Sequence, residues 1–71
     1  MKPEIIDLKI AQAIKTLRLN NGISQKSIAV DLRMNPSYYN KHEKGLKAFT
    51  GGQLIIISQS LGVSILLLLE K

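Results

Sequence analysis

The chain has 71 residues, enough for one domain, and a chain of this length buries only about 60% of the surface that it exposes when unfolded. It contains no cysteine, which excludes disulfides and thiolate metal sites and suits a reducing cytoplasm. Ten basic side chains against five acidic ones give a net charge of +5, which indicates an anionic partner such as a nucleic acid or a membrane surface.

The positive charge is centred on the middle of the chain, because residues 24–47 hold five of the basic side chains and two of the acids. The longest apolar run, Ile65 to Leu69, is far shorter than the roughly 20 residues of a membrane span. We therefore expect a soluble, cytoplasmic protein with no membrane partner.

Helical periodicity and start signals divide the chain into five helices. Pro3 suits the first turn of helix 1, and the run Asn20-Asn21-Gly22 ends it. Between them, apolar side chains recur at spacings of three and four residues, which predicts one buried face. These side chains are Ile6, Ile10, Ile14 and Leu17.

Helices 2 and 3 each begin at a polar capping residue. Ser24 is expected to cap helix 2, which runs to about Leu32, and Asn35 is expected to cap helix 3. Pro36 would be the first residue of helix 3, where its missing N–H costs nothing, and Lys44-Gly45 would end the helix.

Helices 4 and 5 follow the same pattern. Thr50 and Gln53 form a capping box, which favours a helix over a strand for the β-branched run at residues 55–57. Gly62 closes helix 4, and Ser64 caps a last short helix that extends to residue 70.

Helices 2 and 3 are joined by a three-residue turn, which is the spacing of a helix-turn-helix whose second helix lies in the DNA major groove. Several segments in and around this unit share their joint spacing with one family. They are Ile14-Lys15-Thr16-Leu17-Arg18, Asn21-Gly22-Ile23-Ser24-Gln25, Ile28-Ala29, Glu43-Lys44-Gly45 and Leu61-Gly62-Val63-Ser64. Over about residues 9–69 the chain resembles the lambda-repressor/Cro-type helix-turn-helix proteins, the XRE family. The resemblance implies an all-α fold: one compact five-helix, lambda-repressor-like domain over residues 1–71, with the helix-turn-helix at about 24–44.

The resemblance also implies roles for side chains near the turn. Gln25, in the first turn of helix 2, corresponds to a glutamine that in relatives contacts a DNA phosphate and braces the recognition helix. Arg18 and Glu43 match a family pairing between helix 1 and the end of helix 3. The side chains expected to contact the DNA backbone are Gln25, Lys26, Asn40, Lys44 and Lys47.

Helix 3 is expected to present one face to the bases. Tyr39 and His42 fall where the family places inward-facing apolar groups, which leaves Ser37, Tyr38 and Lys41 on the outward face. Lys41 can donate to guanine, Ser37 can serve several bases, and Tyr38 offers a ring to a thymine methyl group.

Two positions depart from the family pattern. The turn carries Arg33 where relatives commonly have glycine, which predicts a non-glycine residue near the left-handed region. Pro36 removes one amide and one side chain that could have contacted DNA. The base preference of a relative therefore cannot be transferred to this chain.

Helices 4 and 5 carry more apolar side chains than one buried face needs. The inward positions are expected to be Leu54, Ile57, Leu61, Val63, Ile65 and Leu68. The others form what we call the C-terminal apolar surface, made of Ile55, Ile56, Leu66, Leu67 and Leu69. Exposed apolar side chains mark association sites, and the family commonly dimerises through its C-terminal helix. The predicted dimer interface is therefore the C-terminal apolar surface, which lies within the helices at 50–70. The alternative is a helix 5 that is buried on all sides.

These features predict a sequence-specific transcriptional regulator that binds double-stranded DNA. It would be a small repressor of the phage Cro or restriction-modification controller type, bound to an inverted-repeat operator as a homodimer. The alternative is an antitoxin or a protein-interaction adaptor that uses the C-terminal apolar surface. We expect no enzyme and no catalytic residue, because the sequence shows no activated nucleophile, acid-base pair or metal cluster and His42 is expected to be packed. No cofactor, metal or small-molecule effector is expected either.

Overall fold

The computed structural model describes residues 3–69, with side chains from Leu8 onward. In this part of the chain it has five helices and the all-α architecture that the sequence predicts. They are α1 (Pro3–Asn20), α2 (Gln25–Asp31), α3 (Pro36–Glu43), α4 (Gly51–Leu61) and α5 (Ile65–Leu69). Two predictions lie outside the described residues: the inward position of the Ile6 side chain, and Glu70 as the end of the last helix.

The predicted helix starts are confirmed by hydrogen bonds to the capping side chains. Ser24 Oγ accepts from the Ser27 amide at 3.1 Å, and Asn35 Oδ1 accepts from the Ser37 amide at 2.8 Å. At α4 both bonds of the capping box are present, at 3.1 and 2.9 Å. Because these amides have no partner within their own helix, each bond fixes the start of its helix at one residue. The isoleucine run at 55–57 is helical, as predicted.

The turn between α2 and α3 is closed by a non-glycine residue in the left-handed region. Arg33 has φ 58°, which confirms the conformation expected where relatives carry glycine. The Arg33 amide donates to Val30 O at 3.0 Å and the Met34 amide to Ala29 O at 2.9 Å. This pair of bonds is a Schellman motif, which satisfies the last carbonyls of α2 at a local cost of about 1–2 kcal/mol for the side chain at φ above zero.

The five helices enclose one core. α1 packs against α3, α4 and α5, while α2 lies between α3 and α4. The buried side chains come from all five helices, so no helix buries its apolar face without the others. Those that form the hydrophobic core cluster are Ile14, Ile28, Ala29, Tyr39, Leu54, Ile57, Leu61 and Leu68. Ala29, a small residue of α2, is fully buried in this core.

The C-terminal apolar surface is exposed. Its members range from Ile56, 37% exposed, to Leu66, 66% exposed, whereas Leu68 on the same helix is buried. The alternative of an α5 buried on all sides is therefore wrong for this chain on its own. The inward set is as predicted: four members are buried, and Val63 and Ile65 pack against the core.

Gly45 ends α3 and reverses the chain. It has φ 79°, and the following amide, that of Leu46, donates back to Lys41 O at 2.9 Å. A β carbon at Gly45 would lie only 3.0 Å from Leu8 Cδ1, so a larger residue would push against α1. Within the loop that follows, Lys47 lies beside Tyr38 of α3.

Candidate nucleic-acid interface

The outward face of α3 carries the three side chains that the sequence proposes as base contacts. Ser37, Tyr38 and Lys41 are all exposed, and Tyr38 shows 44% of its surface. Lys41 has no ion-pair partner among the described residues. A helix with this exposed polar face, held by a short turn, can lie against duplex DNA with its side chains free to reach base edges.

The opposite face of α3 is buried and polar. Tyr39, His42 and Glu43 all point into the protein, with Tyr39 fully buried. Of these three, Tyr39 and Glu43 belong to one hydrogen-bond network with Arg18 and Gln25, and Glu43 lies at its centre. The network fixes the rotation of α3 about its own axis, and with it the direction of the exposed face.

Arg18 of α1 holds Glu43 in a two-pronged ion pair. Its Nε donates to Glu43 Oε2 at 2.8 Å and its Nη2 to Oε1 at 2.9 Å. The third nitrogen, Nη1, donates to the carbonyl of Ile23 at 2.8 Å, just before the cap of α2. One guanidinium therefore ties α1 to the end of α3 and to the start of α2, in the pairing that the family resemblance implies.

Two further donors complete the shell of Glu43. Tyr39 donates its hydroxyl proton to Oε2 at 2.7 Å, and Gln25 donates an amide proton to Oε1 at 2.9 Å. Glu43 thus accepts four hydrogen bonds, which is about the full capacity of an ionised carboxylate. Burial alone would raise the pKa of Glu43, but the bonds from Arg18, Tyr39 and Gln25 outweigh burial and lower the pKa below its usual value.

The network shifts the pKa of its other members in the direction that preserves it. The hydrogen bond to Glu43 raises the pKa of Arg18 further, against the opposing effect of burial. Burial and then the bond to Glu43 raise the pKa of Tyr39 far above its usual value. At neutral pH the carboxylate, the guanidinium and the neutral phenol are therefore all in the forms that the hydrogen bonds need.

Gln25 and Asn40, which the sequence proposes as phosphate contacts, are half-buried and bonded to each other. Asn40 Nδ2 donates to Gln25 Oε1 at 3.0 Å, while Gln25 Nε2 is directed to Glu43. An ionised carboxylate only accepts, so Glu43 fixes which end of the Gln25 amide faces it, and Gln25 in turn fixes Asn40. The bracing role expected of Gln25 is thus directly visible as bonds to two residues of α3.

The remaining side chains expected to contact the DNA backbone are lysines at the surface. Lys26, in the first turn of α2, and Lys44, which caps the end of α3, are exposed. Lys47 is also exposed, and its Nζ lies 5.2 Å from the centre of the Tyr38 ring. A cation over an aromatic face gains about 0.5–1 kcal/mol at an exposed site, which favours this position of Lys47 beside α3.

His42 is packed between aromatic rings, as the sequence indicates. It is 4% exposed, with the Tyr38 ring edge-on at 5.2 Å and the Phe49 ring at 5.0 Å. Neither ring nitrogen forms a hydrogen bond with the part of the chain that the structure describes. Burial and then the nearby charge of Lys47 lower the pKa of His42, although the backbone at residues 47–48 opposes this weakly.

Sequence reasoning missed the polar role of Tyr39 and the bond between Gln25 and Glu43. Tyr39 sits at a position that the family resemblance assigns to the inside of the protein. The structure confirms its burial, but its hydroxyl also needs a hydrogen-bond partner. The signal was present in the sequence, since Tyr39 and Glu43 are four residues apart on one helix and so share a face. The bond from Gln25 spans 18 positions and has no such local signal.

Comparison with known families agrees with this geometry. Within the described residues no helix is both long and apolar enough to span a membrane. No curated protein matches the sequence significantly. The family model for the helix-turn-helix of the Cro/C1 type matches residues 14–68, which is most of the chain and includes the whole α2–α3 unit. The protein therefore belongs to the XRE family of helix-turn-helix proteins, whose members are DNA-binding transcription regulators.

Proposed function

We propose that this protein is a sequence-specific repressor that binds an inverted-repeat operator as a homodimer. It acts in the cytoplasm by occupying a promoter, and it needs neither catalysis nor a small-molecule effector. The observation that carries the proposal is the division of α3 into two faces. The inner face is fixed by the bonds to Glu43, while Ser37, Tyr38 and Lys41 stay exposed on the outer face. A rigid helix with free polar side chains can discriminate between bases, whereas a mobile one would bind mainly phosphates.

The dimer part of the proposal is supported by the C-terminal apolar surface. Its five apolar side chains are exposed on α4 and α5, which pack on each other. An isolated domain of this size gains stability when such a surface is covered. A two-fold dimer could then present two recognition helices to successive major grooves, which lie about 34 Å apart.

Selection of bound duplexes from a random DNA pool at near-physiological salt tests the proposal. We expect enrichment of an inverted repeat whose half-sites are one helical turn apart, because two identical recognition helices read identical half-sites. Enrichment of a single half-site would refute the dimer. Salt-sensitive binding without any enrichment would refute sequence-specific regulation.

A matched pair of charge substitutions tests the dimer separately. Leu66→Glu places a charge on the C-terminal apolar surface, while Val30→Glu places the same charge on α2 at a side chain that is equally exposed, 65% against 66%. We expect sedimentation equilibrium without DNA to show a monomer for Leu66→Glu and a dimer for Val30→Glu and for the wild type. A wild type that stays monomeric both alone and on its operator would contradict the proposal.

A second candidate function rests on the same exposed surface. An antitoxin or adaptor would cover the C-terminal apolar surface with a different protein instead of a second copy. Purification of a defined hetero-complex from the source, together with an isolated chain that neither dimerises nor enriches an operator, would favour this function over the repressor.

A further inference from the structure

Three aromatic rings connect the exposed face of α3 to the core, and we call them the aromatic row: Tyr38, His42 and Phe49. The ring centre of His42 lies 5.2 Å from that of Tyr38, which stands edge-on to it, and 5.0 Å from that of Phe49. Tyr38 is 44% exposed, His42 is 4% exposed, and Phe49 packs against the core. His42 is therefore the middle member, between a side chain expected to contact bases and the interior.

The loop between α3 and α4 contacts this row at two points. Lys47 holds its Nζ 5.2 Å from the centre of the Tyr38 ring, and Phe49, two residues later, packs on His42. Thr50 then caps α4, so Phe49 ends the loop. The side chains expected to contact a base and the DNA backbone, Tyr38 and Lys47, thus both depend on the position of the row.

The row has no place for a protonated imidazole. Neither ring nitrogen of His42 has a hydrogen-bond partner among the described residues. A neutral imidazole leaves one N–H and one lone pair without partners, whereas an imidazolium would leave two N–H donors and a charge. Burial of a charge without a partner costs far more than burial of a neutral polar group. Protonated His42 therefore needs contact with water.

The charged groups around His42 do not compensate an imidazolium. Burial and then the positive charge of Lys47 lower the pKa of His42, and the loop backbone opposes this only weakly. Glu43, the next residue on α3, already accepts four hydrogen bonds and is paired with Arg18, while Lys41 on the other side is exposed and positive. α4 carries no ionisable side chain, and no charged side chain of α1 within residues 8–20 contributes to the shift.

The two sides of His42 differ in how firmly they are held. On the α3 side, the hydrogen bonds to Glu43 fix the helix against α1 and α2. On the loop side, the amides of residues 47–49 form no backbone hydrogen bond with the described residues. Displacement of the loop is therefore the easier way to bring water to the imidazole. It would carry Lys47 and Phe49 away from α3.

We propose that neutral His42 is a positioning residue for the DNA contacts of Tyr38 and Lys47, and that a proton gained by His42 displaces the 45–49 loop and weakens DNA binding. The proposal rests on the DNA-binding function and adds to it a group that does not touch DNA. Its direction is opposite to that of a histidine at the DNA surface, where a proton adds a positive charge and strengthens binding to phosphates. His42 is too deeply buried to present its charge to a phosphate.

Proton release on DNA binding tests the proposal. Wild type and His42→Phe, which keeps an aromatic ring but cannot titrate, are each titrated calorimetrically with random duplex at pH 6, in buffers of different ionisation enthalpy, with circular dichroism showing that both are folded. We expect the wild type to release more protons than His42→Phe, by up to one per chain, because DNA selects neutral His42. Its affinity should correspondingly fall from pH 7 to pH 6, by at most about tenfold. Equal release by the two chains, or a greater uptake by the wild type, would overturn the proposal.

An NMR titration of the wild type without DNA tests the displacement of the loop, and it does not depend on the folding of His42→Phe. His42 and Phe49 are the only histidine and phenylalanine of the chain, so their ring signals are unambiguous. We expect the Phe49 signals to change with the same midpoint as those of His42, while the methyl signals of Ile14 in the core stay constant. Phe49 signals that stay constant, or Ile14 signals that move with them, would refute a local displacement.

Two lysine substitutions provide a matched control for the charge. Lys47→Gln should raise the midpoint of the His42 titration, because Lys47 lowers the pKa, whereas Lys44→Gln removes an exposed cation that does not contribute and should leave the midpoint unchanged. Equal midpoints in the two variants would place Lys47 away from His42 and overturn the arrangement. A wild type that binds no duplex would refute the DNA-binding function, whereas equal proton release would refute only the role of His42.

Discussion

Replacement of Glu43 by glutamine should destabilise the fold severely, because it leaves the guanidinium of Arg18 buried without a counter-ion. Arg18 is 7% exposed and Glu43 5% exposed, so water cannot replace the lost charge. The new amide group would also face a donor, since all four bonds at this position come from donors. Breaking a buried pair from one side costs about 3–5 kcal/mol.

That cost is large against the total stability of so small a domain. A chain of this length has a free energy of unfolding of about 4–10 kcal/mol at about 0.05–0.15 kcal/mol per residue. Each 1 kcal/mol shifts the melting temperature of such a domain by about 4–8 °C, so Glu43→Gln should lower it by about 12 °C or more. Urea unfolding at pH 7, followed by circular dichroism, measures the change.

Asp31→Asn provides the matched control, because it is the same chemical change at an exposed acid. Asp31 accepts one bond, from Ser60 Oγ at 2.6 Å, so its replacement should cost about 1 kcal/mol. If Glu43→Gln does not fold, Tyr39→Phe removes one bond to the carboxylate and should cost about 1.5–3 kcal/mol. Losses for Glu43→Gln or Tyr39→Phe no greater than that for Asp31→Asn would refute the central role of Glu43.

Three further predictions concern the buried histidine, the turn between α2 and α3, and the exposed lysines. The pKa of His42 is lower in the folded state than its usual value of 6.5, so below that pH the unfolded chain binds more protons than the folded one. The free energy of unfolding should therefore fall from pH 7 to pH 5, by at most about 1.4 kcal/mol per pH unit. His42→Phe should remove this loss. Arg33→Gly should raise the unfolding free energy by about 0.5–1 kcal/mol, because glycine adopts the left-handed conformation without strain. Lys41→Ala should relax base preference and cost about 1–3 kcal/mol on the operator, whereas Lys47→Ala should weaken binding to all sequences and flatten its salt dependence.

Each of these has a result that would contradict it. An unchanged pH profile in His42→Phe would mean that another group controls the acid loss above pH 5. Arg33→Ala removes the same charge but keeps the β carbon, so a gain as large as that of Arg33→Gly would exclude backbone strain as the cause. Equal effects of Lys41→Ala and Lys47→Ala on operator and random DNA would contradict the division into base and phosphate contacts.

The sequence determined the helices and the turn between α2 and α3, because their signals are local. A capping side chain accepts a hydrogen bond from an amide two or three residues away, as those of Ser24, Asn35 and Thr50 do. Both partners therefore lie within a short stretch of sequence. The exposed face of α3 was predicted from the family resemblance, which places Tyr39 and His42 inward. The left-handed conformation of Arg33 was predicted in the same way, because Arg33 stands where relatives have glycine.

The family resemblance implied the pairing of Arg18 with Glu43, but only the tertiary structure decided that Gln25 and Tyr39 join it. The donors to Glu43 come from three helices, and the bonds from Arg18 and Gln25 span 25 and 18 positions, distances over which no helical period applies. Local rules act over a few residues, whereas these features depend on how whole helices pack, and packing is set by the entire core at once.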